Sequence, residues 1–166
     1  MKGFTMPRKT IIVLAALFLL AALADETAHA QPKKVAGKAG DSIVRARTEL
    51  FLAENPADSG HLESVSRTLT SPDLAWDRAQ LFAVRFSDPF MRQERRSHGH
   101  MVIIYPSGDQ TFIEYELRWK GPDWETSGHF VGGTGRFTGI RGKWRARGTL
   151  TPTSDAGEWE TEYELP

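Results

Sequence analysis

The chain has 166 residues, 21 Lys plus Arg against 21 Asp plus Glu, and no cysteine. One-domain length, 25% charged residues and 10% aromatics exclude a coiled coil or a disordered tail. Balanced charge gives no general field for nucleic acid or acidic lipid, so no nucleic-acid partner is expected. The missing cysteines exclude disulfides, thiolate catalysis and Cys-ligated zinc.

The chain opens with Lys2, Arg8 and Lys9, an apolar run from Ile11 to Ala24, and Ala28-His29-Ala30. A basic flank, a short apolar core and small residues at alternate positions read as a secretory signal peptide over residues 1–30, cut after Ala30. The run is too short to span a bilayer, which needs about 20 residues, and no second run follows, so no transmembrane segment is expected. Removal of the leader takes with it three basic and two acidic residues, leaving one net negative charge on Gln31 to Pro166. The expected location is the periplasm or outside the cell.

Residues 31–40 are Pro, Lys, Gly and Ala with little to bury and read as a flexible lead; a single domain then runs from Asp41 to Pro166. Runs of branched and aromatic residues recur at the spacing of a sandwich or barrel. Eight strands are predicted: Ser42 to Leu52, His61 to Thr70, Ala79 to Ser87, His98 to Tyr105, Gln110 to Lys120, Thr126 to Gly132, Gly139 to Leu150, and Glu158 to Leu165. Between the second and third, Ser71-Pro72-Asp73 is a helix-start signal, so a short helical turn is placed near Ser71 to Asp77. Eight antiparallel strands suffice to close a barrel with a filled interior or room for one small ligand.

The last two strands carry the strongest local pattern. Trp144, Ala146 and Gly148 alternate with Lys143, Arg145 and Arg147, and Trp159, Thr161 and Tyr163 alternate with Glu158, Glu160, Glu162 and Glu164. Pairing Arg147 with Glu160, Arg145 with Glu162 and Lys143 with Glu164 also sets Trp144 against Tyr163 and Gly148 against Trp159. Each cross-strand pair contributes about 0.2 to 1 kcal/mol. The basic stripe, its side chains about 6.6 Å apart, reads as a partner for this acidic strand rather than as a phosphate track.

The segment Gly132-Gly133-Thr134-Gly135-Arg136-Phe137-Thr138-Gly139-Ile140-Arg141-Gly142 resembles the glycine-rich signature of plant dirigent proteins and allene oxide cyclases. It lacks the Gly-Lys-Ser/Thr ending of a phosphate loop and opens no helix. The resemblance implies an all-β, eight-stranded antiparallel barrel of the allene oxide cyclase type, here in an exported bacterial member. Its glycines suit positive backbone angles at a bending rim, with Phe137 as a plug. Dirigent proteins steer phenoxy-radical coupling and allene oxide cyclases guide ring closure of a fatty-acid epoxide, both on a hydrophobic substrate inside the barrel. Their functional acids, tyrosines and arginines lie outside the motif, so the resemblance implies fold and pocket type alone.

Chemistry-bearing residues are sparse. His98 and His100 share a strand face, with Glu114, Glu116 and His129 on neighbouring strands; the acid that follows a His-x-His pair in cupin metal sites is missing, so no metal is expected. If Tyr105 pairs with Gln110, His100 faces Tyr115 inside the barrel while Glu114 and Glu116 point away. Glu114 and Glu116 read as partners of Arg118 rather than an acid and base pair. No nucleophile elbow surrounds any Ser, and no cofactor is expected. Arg92 to Arg96 form a polar loop. The expected function is binding of a hydrophobic or aromatic small molecule by His100, Tyr115, Phe130, Trp144 and Tyr163. The alternatives are a cyclase-like or radical-steering enzyme acting by confinement, and a protein-interaction module. A continuous interior cavity of about 300 Å³ or more with a polar floor would discriminate among them.

Overall fold

Runs that alternate branched or aromatic side chains with polar ones pair into a sheet, and a sheet that coils far enough closes on itself. The computed structural model describes residues 31–50, 60–87 and 95–166. Within them Pro32–Pro166 form one compact unit. The expected leader, residues 1–30, lies outside the described residues, as do most of the Arg92 to Arg96 loop and the predicted end of the first strand at Leu52.

Among the described residues there are nine strands: β1 (Lys33–Ala39), β2 (Ile43–Leu50), β3 (Gly60–Thr70), β4 (Gln80–Ser87), β5 (Arg96–Ile104), β6 (Gln110–Lys120), β7 (Asp123–Gly133), β8 (Arg141–Thr149) and β9 (Gly157–Glu164). All neighbours are antiparallel, in the order β1-β9-β8-β7-β6-β5-β4-β3-β2. A further β1–β3 pairing closes the ring. The result is the expected all-β, eight-stranded antiparallel barrel, with β2 as an extra strand that continues β1 along the same edge of β3.

The closing strand is the segment read as a flexible lead. Lys33 to Ala39 pair with Tyr163 to Gly157 of β9, and Ala39 and Lys38 with Leu69 and Thr70 of β3. Its polar composition misleads because the barrel asks it to bury only Val35 and Ala39, while the ladder supplies partners for its backbone. Only two residue pairs join β1 to β3, and side chains reinforce this seam. Arg67 donates to the Asp155 carboxylate at 2.8 Å and to the carbonyls of Asp155 and Gly40 at 2.8 and 3.0 Å. The Ser42 amide and hydroxyl donate to the same carboxylate at 2.6 and 2.5 Å, and the Asp155 amide donates to Asp41 at 2.8 Å. The β8–β9 loop is thereby stapled to the β1–β2 corner.

The β8–β9 register differs from the expected one by two residues. Arg147 faces Glu158, Arg145 faces Glu160, Lys143 faces Glu162, and Trp144 faces Thr161. A slip of two preserves both the ionic face and the apolar face, so side-chain pattern cannot distinguish the two frames. The glycines decide. Gly148 lies opposite Gly157, and a Cβ on either would stand 2.5 to 2.7 Å from Cζ2 of Trp124, whose indole occupies the hollow they leave.

Between β3 and β4 the Ser71-Pro72-Asp73 signal produces hydrogen-bonded turns. The Asp73 amide donates to Ser71 Oγ at 3.1 Å, and the Trp76 and Asp77 amides to the Asp73 carbonyl at 2.9 and 3.0 Å. This segment drives Trp76, fully buried, into one end of the barrel. Tyr105, Phe137, Trp159 and Tyr163 pack around it with ring centroids 5.0 to 5.9 Å away. Phe137 rises from a 3-10 turn, Gly135–Phe137, and is the plug that the glycine motif implies. Within that motif Gly135, Gly139 and Gly142 take positive φ. Gly133 serves otherwise: a Cβ there would stand 2.5 Å from the Phe137 carbonyl.

Candidate functional site

The Trp76 cluster fills one end of the lumen and leaves the other end to different chemistry. On β3 the inward positions run Glu63, Val65, Arg67, Leu69, and on β4 they run Leu81, Ala83, Arg85. Glu63 lies directly opposite Arg85, and the same rung continues through Gly99, Tyr115, Gly128, Trp144 and Thr161 to Val35. A buried carboxylate therefore shares one level of the interior with a guanidinium and a phenol. Arg85 Nε donates to Glu63 Oε2 at 2.7 Å, and its Nη2 bonds the same oxygen. Arg47, the register partner of Glu63 on β2, stands 3.8 Å from the other carboxylate oxygen. A charge this deep persists because it is paired and hydrogen-bonded.

Tyr115 is buried beside this pair. Burial pushes its phenol up to about 12, against a smaller opposing pull from Arg85. It therefore stays protonated near neutrality and offers an O–H donor rather than a base. Burial lowers the Arg67 guanidinium, opposed by the Asp155 carboxylate, and Arg67 lies 4.9 Å over the Trp124 ring. The Arg85 side chain retains 22% exposure and that of Arg67 13%, whereas Trp76 is fully buried.

The residues expected to bind ligand fall into three groups. Tyr115 and Trp144 lie on the polar rung, with Trp144 stacked on Trp159 at 5.3 Å. Phe130 and Tyr163 belong to the aromatic floor, 6.5 and 5.7 Å from Trp76. His100 is on the outside, its side chain 73% exposed and Nδ1 4.0 Å from Glu114. The expectation that His100 faces Tyr115 fails by one residue. Tyr105 turns inward, bonding Thr111 Oγ1 at 3.0 Å, and its amide donates to the Asp109 carbonyl, so the ladder resumes at Ile104 with Gln110 and sets His100 against Glu114. Glu114 does point outward as expected, and His129 Nε2 stands 3.7 Å from its other oxygen. Among the described residues no His, Cys, Asp and Glu groups of three or more are arranged to hold a metal ion.

Glu63, Arg67, Arg85 and Trp76 were not singled out from the sequence. The signal for the first three was present: Val65 and Leu69, like Leu81 and Ala83, fix the inward phase, and a charged residue in that phase is a buried charge.

Hollows lie on the outer surface. One of about 840 Å³ runs between Arg118, Glu125, Arg147, Glu158 and Lys38, where Ala36 and Ser127 leave a dip in the charged ladder. It is far larger than the expected ligand cavity yet belongs to the solvated outer face, away from Tyr115 and Glu63.

No protein-family model and no curated protein matches the sequence. The structure, in contrast, superposes on a pterocarpan synthase dirigent protein with a TM-score of 0.52 at 14% identity, over 83% of this chain and 91% of that one. The fold is that of a dirigent-type barrel. A pyocyanin demethylase shares the barrel to the same degree, with a TM-score of 0.52 at 14% identity over 80% of this chain and 98% of that one. At this identity the dirigent-type likeness is one of fold.

Proposed function

We propose that this barrel is an exported binding protein for an apolar, aromatic small molecule, held in the Arg85 half of the lumen against the aromatic floor. The observation that carries the reading is the rung on which Glu63, Arg85 and Tyr115 meet. An interior meant only to be filled has no use for an acid, a guanidinium and a phenol on one level, whereas ligand sites combine apolar walls with a few such groups. The protonated Tyr115 serves as donor, Arg85 as the cationic contact, and Trp144 as wall. The two solved barrels of the same fold are named for a pterocarpan and for pyocyanin, which supports a small-molecule ligand. A confinement enzyme is the second reading, favoured by the same Tyr115 donor next to a paired carboxylate.

The test is native mass spectrometry of protein purified from its own host, followed by a thermal-shift panel of planar aromatic compounds. A retained adduct, or a hit whose shift is lost in Tyr115→Phe, supports binding. Conversion of a hit by the wild type and not by Tyr115→Phe supports the enzymatic reading. Absence of both adduct and shift overturns the proposal. Intact mass of exported material tests the leader, with Gln31 as the expected first residue.

A further inference from the structure

The polar rung of the lumen is short of hydrogen-bond acceptors. Glu63 supplies the carboxylate there, and its Oε2 takes both Nε and Nη2 of Arg85, while Arg47 stands beside Oε1. Donors on the rung go unmet among the described residues. Arg85 makes no hydrogen bond through Nη1, and the Tyr115 hydroxyl makes none at all. Trp144, on the same rung and 1% exposed, has no acceptor for its Nε1. The same holds for Nε1 of two further buried indoles, Trp76 and Trp124. The one buried side-chain oxygen without a partner among the described residues, Thr126 Oγ1, belongs to a hydroxyl that can itself donate. A buried donor without an acceptor is costly, and native interiors leave few of them.

Resting on the reading of this barrel as a binder of aromatic small molecules, we infer that its ligand carries a ring-conjugated carbonyl, as in an aryl ketone or a quinone, whose oxygen accepts from Tyr115 and Arg85. The two residues share one rung with Gly99 between them, so no side chain intervenes. A carbonyl oxygen has two lone pairs and accepts from both. Charge and proton count select it over the alternatives. Glu63 already balances Arg85, so a ligand carboxylate would set a second negative charge beside a buried acid. A phenol or alcohol would bring a hydrogen of its own to a rung whose carboxylate is already engaged, replacing one unmet donor by another. A bare hydrocarbon would leave every donor as it is.

Calorimetric titration of the purified protein with fluorenone, fluorenol and fluorene, three compounds of one shape, and with the smaller indanone, indanol and indane, tests this. The ketone of the better-fitting set is expected to bind about tenfold tighter than its hydrocarbon, the worth of one or two net hydrogen bonds, and tighter than its alcohol. Tyr115→Phe removes that margin and leaves the hydrocarbon's affinity where it was, whereas damage to the fold would weaken all three alike. The carbonyl stretch of the bound ketone should fall in frequency in the wild type and return toward its apolar-solvent value in Tyr115→Phe. A hydrocarbon or alcohol that binds as tightly as the ketone overturns the inference while aromatic binding stands. So does a loss in Tyr115→Phe shared equally by ketone and hydrocarbon. Failure of all six compounds also overturns it, and failure across the whole planar aromatic panel, with no retained adduct, takes the underlying reading with it.

Discussion

Asp155→Ala removes the anion at the centre of the closing staple. Arg67 then keeps its bonds to the carbonyls of Gly40 and Asp155 and its place over Trp124, but its charge, 13% exposed, loses its carboxylate. Removing one partner of a buried pair destabilises by about 3–5 kcal/mol because the other charge is stranded. For a domain of this size that is roughly 10–20 °C in Tm. Urea denaturation gives the free energy, and hydrogen exchange locates it: β1 amides, next to the two-pair seam, should lose protection before those of β6. Arg67→Met with Asp155→Leu should recover much of the loss, since an apolar pair of similar volume is often as stable as the ion pair. An Asp155→Ala variant within ~0.5 kcal/mol of wild type, or a double variant as unstable as the two singles added, would refute the reasoning.

Raising the pH should unfold the barrel before Tyr115 ionises freely. Its phenol is raised to about 12 from the ordinary 10, so its contribution is complete below pH 10 and lost as pH climbs to about 12; tyrosinate absorbance should rise together with loss of near-ultraviolet dichroism, and early titration of every tyrosine would contradict this. Gly148→Val should destabilise by roughly 1–3 kcal/mol through the clash with Trp124, and Trp124→Leu in the same chain should relieve part of it. Arg145→Glu should be rescued by Glu160→Arg and not by Glu162→Arg, with a coupling of about 0.2–1 kcal/mol in a double-mutant cycle; rescue by Glu162→Arg would restore the register offset by two.

Strand identity and inward phase were legible in the sequence because a pleated strand writes its two faces at alternate positions, as in β6 and β8. Frame was not, because frame is set by turns and by exceptions to the alternation. The Tyr105 to Asp109 turn moved His100 from the lumen to the surface by one residue. The facing glycines 148 and 157 shifted the last hairpin by two, a change to which the charge pattern is blind. The motif from Gly132 to Gly142 gave the fold, and its Phe137 is where the resemblance places it. The Glu63–Arg85 pair escaped notice because charged residues are read as surface until the phase of their strand is fixed. The segment 33–39 was missed because a closing strand needs backbone partners more than apolar side chains.

That closing strand also sets an order of events. Strands β3 to β9 are joined to their sequence neighbours, so each hairpin can form by short-range encounter. Strand β1 pairs with β9 across most of the chain, and the Trp159 indole reaches the Lys38 carbonyl across a separation of 121 residues. Contacts this distant are entropically late and slow. The meander therefore waits as an open, curled sheet, with the edge of β9 and the Leu69–Thr70 end of β3 bare, until one seven-residue strand zips both. Any fluctuation that unzips it re-creates those edges together, and the barrel's resistance to strand exchange between molecules is the resistance of this single zipper.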